Sequence, residues 1–227
     1  MTVGFRIYPN PKQKASPDLV ERFRQLPVAN VSDSMSRMSA AGARLRPMHG
    51  GGVVLAGPAI TVKSRPGDNL MLHKAIDLAE PGDVVVVDAG GDLTNALIGE
   101  LMVAHAQRRG LGGIVINGAI RDCATIRSWN FPMYAAGVTH RGPYKDGPGE
   151  INVQIAIDGM VINPGDLVLG DDDGLVCVPL ADAEKVYTAT KKKHDAETAQ
   201  LEAIRAGRND RSWVDAELKA RGVEYMS

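Results

Sequence analysis

Three charged side chains frame the chemistry open to this sequence. Glu100 stands in Gly99-Glu100-Leu101-Met102, and Arg121-Asp122 closes Gly118-Ala119-Ile120-Arg121-Asp122 after an interval of twenty residues. A guanidinium forks onto a carboxylate with two parallel N–H bonds. An aspartate holds a hard cation such as magnesium through one oxygen, with water in the other coordination positions. A glutamate at the same mouth can handle a proton. If a helix opens at Gly99, the amides of Leu101 and Met102 are free at its N-terminus and suit an anion. Together these parts describe a site for a small 2-oxo acid. The amides and Arg121 hold its carboxylate, and a metal on Asp122 polarises its carbonyl. Each residue also has a plainer use. Asp122 precedes a short helical pattern, Cys123–Trp129, and can be its cap. Arg121 can be a surface charge, and Glu100 a favourable acid in a helix's first turn.

The elements around them must bring these residues together. Val84-Val85-Val86-Val87, bounded by Gly82-Asp83 and Gly90-Gly91, reads as a short, fully buried strand. The chain loops through Asp92–Asn95 and enters an apolar-periodic helix near Gly99, stopped by Arg108-Arg109-Gly110. Gly113–Gly118 is the next buried strand. Two strands joined by a helix are parallel neighbours, so their carboxyl ends lie close, and Glu100 and Arg121-Asp122 share one mouth.

Elsewhere, residues 1–15 read as a polar, proline-bearing arm, and Ser16-Pro17 starts a helix to about Gln25. Val28–Asp33 leads into a second short helix ending near Met38, with Ser32 or Asn30 as its cap and Asp33 as an acid at its start. Leu45–Gly52 reads as a flexible connection, since Gly50-Gly51-Gly52 lacks both Walker and dinucleotide spacing. Ala59–Lys63 alternates as a strand. Pro66-Gly67-Asp68-Asn69 is a turn into a helix, Leu70–Ala79, that sets Asn69 and His73 one turn apart. Phe131–Ala136 is a strand, and Thr139–Gly147 a long polar loop carrying Lys145, which can reach a second substrate carboxylate. Ile151–Ile157, Met160–Ile162, Leu167–Leu169 and Leu175–Val178 are strands, with turns at Asp158-Gly159 and Asp171-Asp172-Asp173. Leu180–Ala206 is a long helix, densely charged in its second half, and Trp213–Ala220 a last one.

The chain has 227 residues, 44% hydrophobic and 23% charged, with a formal net charge of −1. That balance argues against nucleic acid or an anionic membrane surface as a main partner. No apolar run approaches the roughly 20 residues of a membrane span. The two cysteines, Cys123 and Cys177, form no metal or redox motif. A cytoplasmic setting is expected.

An acidic residue followed after twenty residues by Arg-Asp resembles the class II pyruvate aldolases of the RraA-like family, in particular the 4-hydroxy-4-methyl-2-oxoglutarate / 4-carboxy-4-hydroxy-2-oxoadipate aldolases. The likeness extends to Pro66–Asn69 with His73, Gly99–Met102, Gly165-Asp166 and Gly170–Gly174. It implies an α/β fold of layered β/β/α swivelling type, like a phosphohistidine domain, spanning 1–180. A C-terminal helical extension, 181–227, would pack on a neighbouring subunit of a homotrimer or homohexamer. It implies Mg²⁺ or Mn²⁺ on Asp122, with Glu197 as an acid that completes a neighbour's metal shell through water. Arg121 and Glu100 would be catalytic. Gly99, Leu101, Met102, Asn69, His73 and Lys145 would join Arg121 in binding a 4-hydroxy-2-oxo acid cleaved to pyruvate, with oxaloacetate decarboxylation on the side. Family regulators of ribonuclease E lack the Asp that stands here as Asp122. The aldolases carry Asp where this chain has Glu100, a side chain one methylene longer.

Overall fold

Val84–Val87 runs through the middle of the molecule with every side chain buried, as an uninterrupted β-branched run with helices and strands on either side requires. The structure is a computed structural model that describes residues 4–226. In chain order its strands are β1 (Phe5–Ile7), β2 (Arg46–Pro47), β3 (Leu55–Ser64), β4 (Val84–Asp88), β5 (Ala96–Ile98), β6 (Gly113–Ile120), β7 (Met133–Val138), β8 (Gly149–Ile151), β9 (Ile155–Ile157), β10 (Met160–Ile162), β11 (Leu167–Asp171) and β12 (Gly174–Val178). Its helices are α1 (Pro17–Arg24), α2 (Val28–Ser34), α3 (Leu70–Leu78), α4 (Glu100–Arg108), α5 (Cys123–Ser128), α6 (Ala183–Arg205) and α7 (Ser212–Ala220).

The main sheet has the order β1-β8-β3-β4-β6-β7-β2, and β3, β4, β6 and β7 are parallel. β3 is long enough to serve two layers. From Leu55 to Pro58 it pairs antiparallel with β11, and from Ala59 onward it pairs parallel with β4. β11 hairpins back to β12, which makes the second sheet.

Three apolar clusters hold the layers together. Leu72, Ala75, Ile76, Val103 and Ile126 of α3–α5 pack on one face of the main sheet through Val85, Val87, Ile114 and Ile116. The other face, through Val84, Val86 and Val115, meets the β9–β10 hairpin and the second sheet at Ile157, Met160, Val168 and Cys177. Outside the second sheet, Leu167, Leu169, Val176 and Val178 are covered by Leu19 and Phe23 of α1, Val31 of α2 and Val186 of α6. The expected layered α/β architecture is present, with helices on both outer faces. At the amino ends of the parallel strands the backbones touch. A Cβ at Gly57 would overlap the Gly82 carbonyl oxygen, and one at Gly112 would lie 2.5 Å from it.

Several elements differ from the sequence reading. Phe5–Ile7, expected within an arm, pairs parallel with β8 as an exposed edge strand. Such pairing uses backbone groups and needs no apolar pattern. Ala96–Ile98, expected as a helix approach, is a short strand beside the end of β6. The alternation from Ile151 to Ile157 is broken at Asn152, whose φ is +59°, so its two ends join different sheets. α2 ends at Ser34 rather than near Met38, and neither Asn30 nor Ser32 caps it. Its first amide, Val28 N–H, donates to Asp171 Oδ2 at 2.9 Å. Leu45–Gly52 is anchored by β2 and by buried His49, whose Nδ1 lies 2.9 Å from the Met133 carbonyl.

The first turns of α6 bury Ala183, Val186 and Thr190 against this chain, while Leu201, Ile204 and Trp213 further on are exposed. No helix among the described residues is long and apolar enough to cross a membrane.

Candidate active site

β4 and β6 are parallel neighbours, paired residue by residue from Val84 with Gly113 to Asp88 with Asn117. α4 starts at the end of β5, which lies along the last residues of β6. Glu100 and Arg121-Asp122 therefore meet at one edge. There Asp122 has φ +59° and ψ +34°, a left-handed conformation uncommon outside glycine and tolerated by Asp. It occupies the cap position of α5, but its side chain makes no capping bond. Instead Asp122 Oδ2 crosses to accept the Glu100 N–H at 3.0 Å, taking up one free donor of α4. Arg121 Nε lies 3.6 Å from the same oxygen, and the ends of its guanidinium have no acceptor among the described residues. Its backbone N–H is tied to the Ile98 carbonyl at 3.0 Å, which fixes where the side chain begins.

Gly99 allows this approach. Its backbone is extended, which any residue adopts, but a Cβ there would collide with Asp122 Oδ2 and lie 3.0 Å from Arg121 Nε. Of the two amides expected to be free, that of Leu101 has no acceptor among the described residues. That of Met102 turns back to the Gly99 carbonyl at 3.2 Å, because the first turn of α4 is tightened.

These groups open on a cleft of about 320 Å³. Gly99, Glu100, Leu101, Met102, Arg121 and Asp122 line it together with Asn69, His73, Pro143 and Lys145. The volume suits a small organic acid. Asn69 is buried. Its Nδ2 donates to the Leu97 carbonyl at 2.8 Å, which fixes the amide's orientation and leaves Oδ1 without a donor. One side of His73 is open to solvent, yet burial of the rest of the ring, and then the Lys145 ammonium, lowers its pKa below the ordinary histidine value. Burial raises the pKa of both thiols, Cys123 and Cys177, as expected of packing residues.

The sequence model of the RraA-like family, described as Aldolase/RraA, matches residues 28–177. The chain belongs to the RraA-like family. A protein of Halalkalibacterium halodurans named "Putative 4-hydroxy-4-methyl-2-oxoglutarate aldolase" is 38% identical over 191 residues, 84% of this chain and 90% of that one. An uncharacterized protein from Pseudomonas syringae pv. tomato has a similar structure, with TM-score 0.77 and 26% identity over 86% of this chain and 96% of that one. The RNA-processing inhibitor RraA from Thermus thermophilis superposes with TM-score 0.63 and 30% identity over 68% of this chain and 93% of that one.

Within this RraA-like chain, Glu197 is not brought to the cleft. It sits on α6, where Asn30 Nδ2 donates to it at 2.5 Å and Lys193 pairs with it at 3.0 Å. No group of three or more His, Cys, Asp or Glu side chains among the described residues is placed to hold a metal. Asp122 keeps Oδ1 free of any donor among those residues, with Glu100 next to it at the mouth. One open carboxylate oxygen fits a cation that retains most of its water shell, such as Mg²⁺, and does not fit one that needs three protein ligands. Two residues that shape the cleft were not singled out by the sequence. Asn95 donates to the Gly142 carbonyl at 2.5 Å, and Asp68 is fully buried beneath the loop that carries Lys145. Asp68 stands in the Pro66–Asn69 motif, which the sequence marked as a turn and as part of the family likeness without showing what its carboxylate holds.

Proposed function

We propose that this chain is a divalent-metal-dependent aldolase that cleaves a 4-hydroxy-2-oxo di- or tricarboxylic acid to pyruvate and a second oxo acid. The observation that carries the reading is the junction of Gly99, Glu100, Arg121 and Asp122. A guanidinium whose outer nitrogens have no acceptor among the described residues, a Leu101 amide with none among them either, and a carboxylate held in an uncommon backbone conformation line one cleft. The name of the Halalkalibacterium relative supports the same reading.

The substrate's 1-carboxylate lies on the Arg121 fork and the Leu101 amide. Its 4-hydroxyl donates its one proton to a water positioned by Glu100, which takes it. The C3–C4 bond then breaks. Its electron pair moves to C3, the C4 oxygen becomes the carbonyl of the departing oxo acid, and an enolate remains on the pyruvyl half. The Arg121 guanidinium stabilises the negative charge on that half. Return of a proton to C3 through the same water gives pyruvate. Asp122 would hold the Mg²⁺ or Mn²⁺, which, when bound, supplies a Lewis acid toward the 2-oxo oxygen. Oxaloacetate decarboxylation passes through the same enolate and belongs to the proposal. The exposed Leu201, Ile204 and Trp213 support the part of the reading in which the C-terminal helices meet another copy in a homotrimer or homohexamer.

The test is pyruvate release from 4-hydroxy-4-methyl-2-oxoglutarate and from oxaloacetate, using chelator-stripped protein with and without Mg²⁺ or Mn²⁺. Turnover that requires the metal and disappears in Asp122→Ala supports the aldolase. Folded, metal-supplied protein that turns over neither acid refutes it and leaves a binding role of the kind the Thermus relative's name describes.

A further inference from the structure

Asp68 is fully buried and ionisable, and the mechanism above does not use it. Its two oxygens accept from the helix that carries His73 and from the loop that carries Lys145. Oδ1 takes the Leu70 N–H at 2.9 Å, at the start of the helix that carries His73. Oδ2 takes the N–H groups of Asp146 and Gly147, both at 2.8 Å, and lies 3.3 Å from the Arg65 guanidinium. The backbone adds to this clamp. Tyr144 N–H donates to the Gly67 carbonyl at 2.8 Å, and Asn69 N–H to the Tyr144 carbonyl at 3.0 Å. The other end of the loop is held through the Arg141 and Gly142 carbonyls by Ala96 N–H and Asn95 Nδ2. Residues 141–147, part of the long polar loop read from sequence, are thus pinned at both ends, and Lys145 sits between the pins and lines the same cleft as Arg121.

A lysine on a free loop would meet an anion at almost any distance, at the cost of ordering its long side chain. A lysine on a clamped loop offers its charge over a narrow range of distances from Arg121. We propose that Asp68 is a positioning residue that fixes the reach of Lys145 and thereby sets the preference for substrates with a second carboxylate. This inference rests on the aldolase reading. Asparagine at 68 keeps the shape but places an amide NH₂ where one of the donor groups now points, so one side of the clamp opens.

The experiment compares 4-hydroxy-4-methyl-2-oxoglutarate with 4-hydroxy-2-oxopentanoate, which has no second carboxylate, in the full-length metal-supplied protein. In Asp68→Asn, kcat/KM on the diacid falls about tenfold further than on the mono-acid, mainly through KM. Combining Asp68→Asn with Lys145→Ala adds no further loss of preference to that of Lys145→Ala alone, because the two act through one contact. Arg65→Met, at a partly exposed position, removes one donor from the same carboxylate and shows the same split at smaller size. It decides the matter should Asp68→Asn not fold. Equal losses on both substrates, or losses that add in the double variant, overturn the proposal while leaving the aldolase in place. Wild-type protein that releases no pyruvate from either acid overturns both.

Discussion

Replacing Gly99 with alanine separates the site from the fold that carries it. Gly99 has φ −142° and ψ −171°, so alanine is free of backbone strain there. Its added methyl would meet the Asp122 carboxylate and, at 3.0 Å, both Cγ and Nε of Arg121. In a rigid core such overpacking costs about 1–3 kcal/mol. Here the obstacles are side chains 44% and 36% exposed, which can swing toward solvent. The stability cost should stay below about 1 kcal/mol, a fall in Tm of roughly 2–4 °C at this chain length. The activity cost is larger. Moving Asp122 breaks its exposed bond to the Glu100 amide, where water can take over both groups at little cost to stability, and shifts Arg121 from its line to the cleft. A displacement near 1 Å at such a site lowers rate about 100-fold. The measurements are a thermal melt and pyruvate release coupled to a dehydrogenase. Gly99→Ala with kcat/KM within twofold of wild type would refute the steric argument. So would a Tm lower by more than about 10 °C, since the side chains would then be part of a rigid core.

Other expectations follow from the same geometry. Arg121→Lys keeps the charge and loses the fork, so kcat/KM should fall about 10- to 100-fold with an unchanged melt. Competitive inhibition by pyruvate, which depends on the same contact, should weaken in parallel. His73 has a folded pKa below its unfolded one, so the unfolded chain binds the extra proton first on acidification. Stability should therefore decline as pH falls through about 6.5 and level off below the folded value. His73→Gln should remove that part of the decline in pH-dependent melts.

The sequence made some of this legible and hid the rest for physical reasons. Four consecutive valines between glycine turns, a periodic helix and a second apolar strand were enough to pair β4 with β6 and to bring Glu100 and Arg121 to one mouth. Patterns of that kind are local. β1 and β5 are three residues long and are set by partners far along the chain, so no periodicity could show them. The cap of α2 comes from Asp171, 143 residues away. The left-handed backbone of Asp122 has no marker in its neighbours, and that conformation turns a cap position into a cleft wall. Lys145 was visible as a charge on a loop, but the carboxylate that clamps the loop was not, because Asp68 looked like any aspartate in a turn.

The glycine contact at the amino ends of the parallel strands has a consequence for how such a protein changes over time. Gly57, Gly82 and Gly112 lock the strands at their amino ends, while the residues that line the cleft lie toward the opposite ends, on β5, helices and loops. Mutations near the lock are paid for in folding and should be purged whatever the protein does. Mutations at the far end leave the lock intact and are free to be judged on function alone. A lineage built this way can exchange one occupation for another by rewriting a few loop positions, while its scaffold is inherited almost untouched.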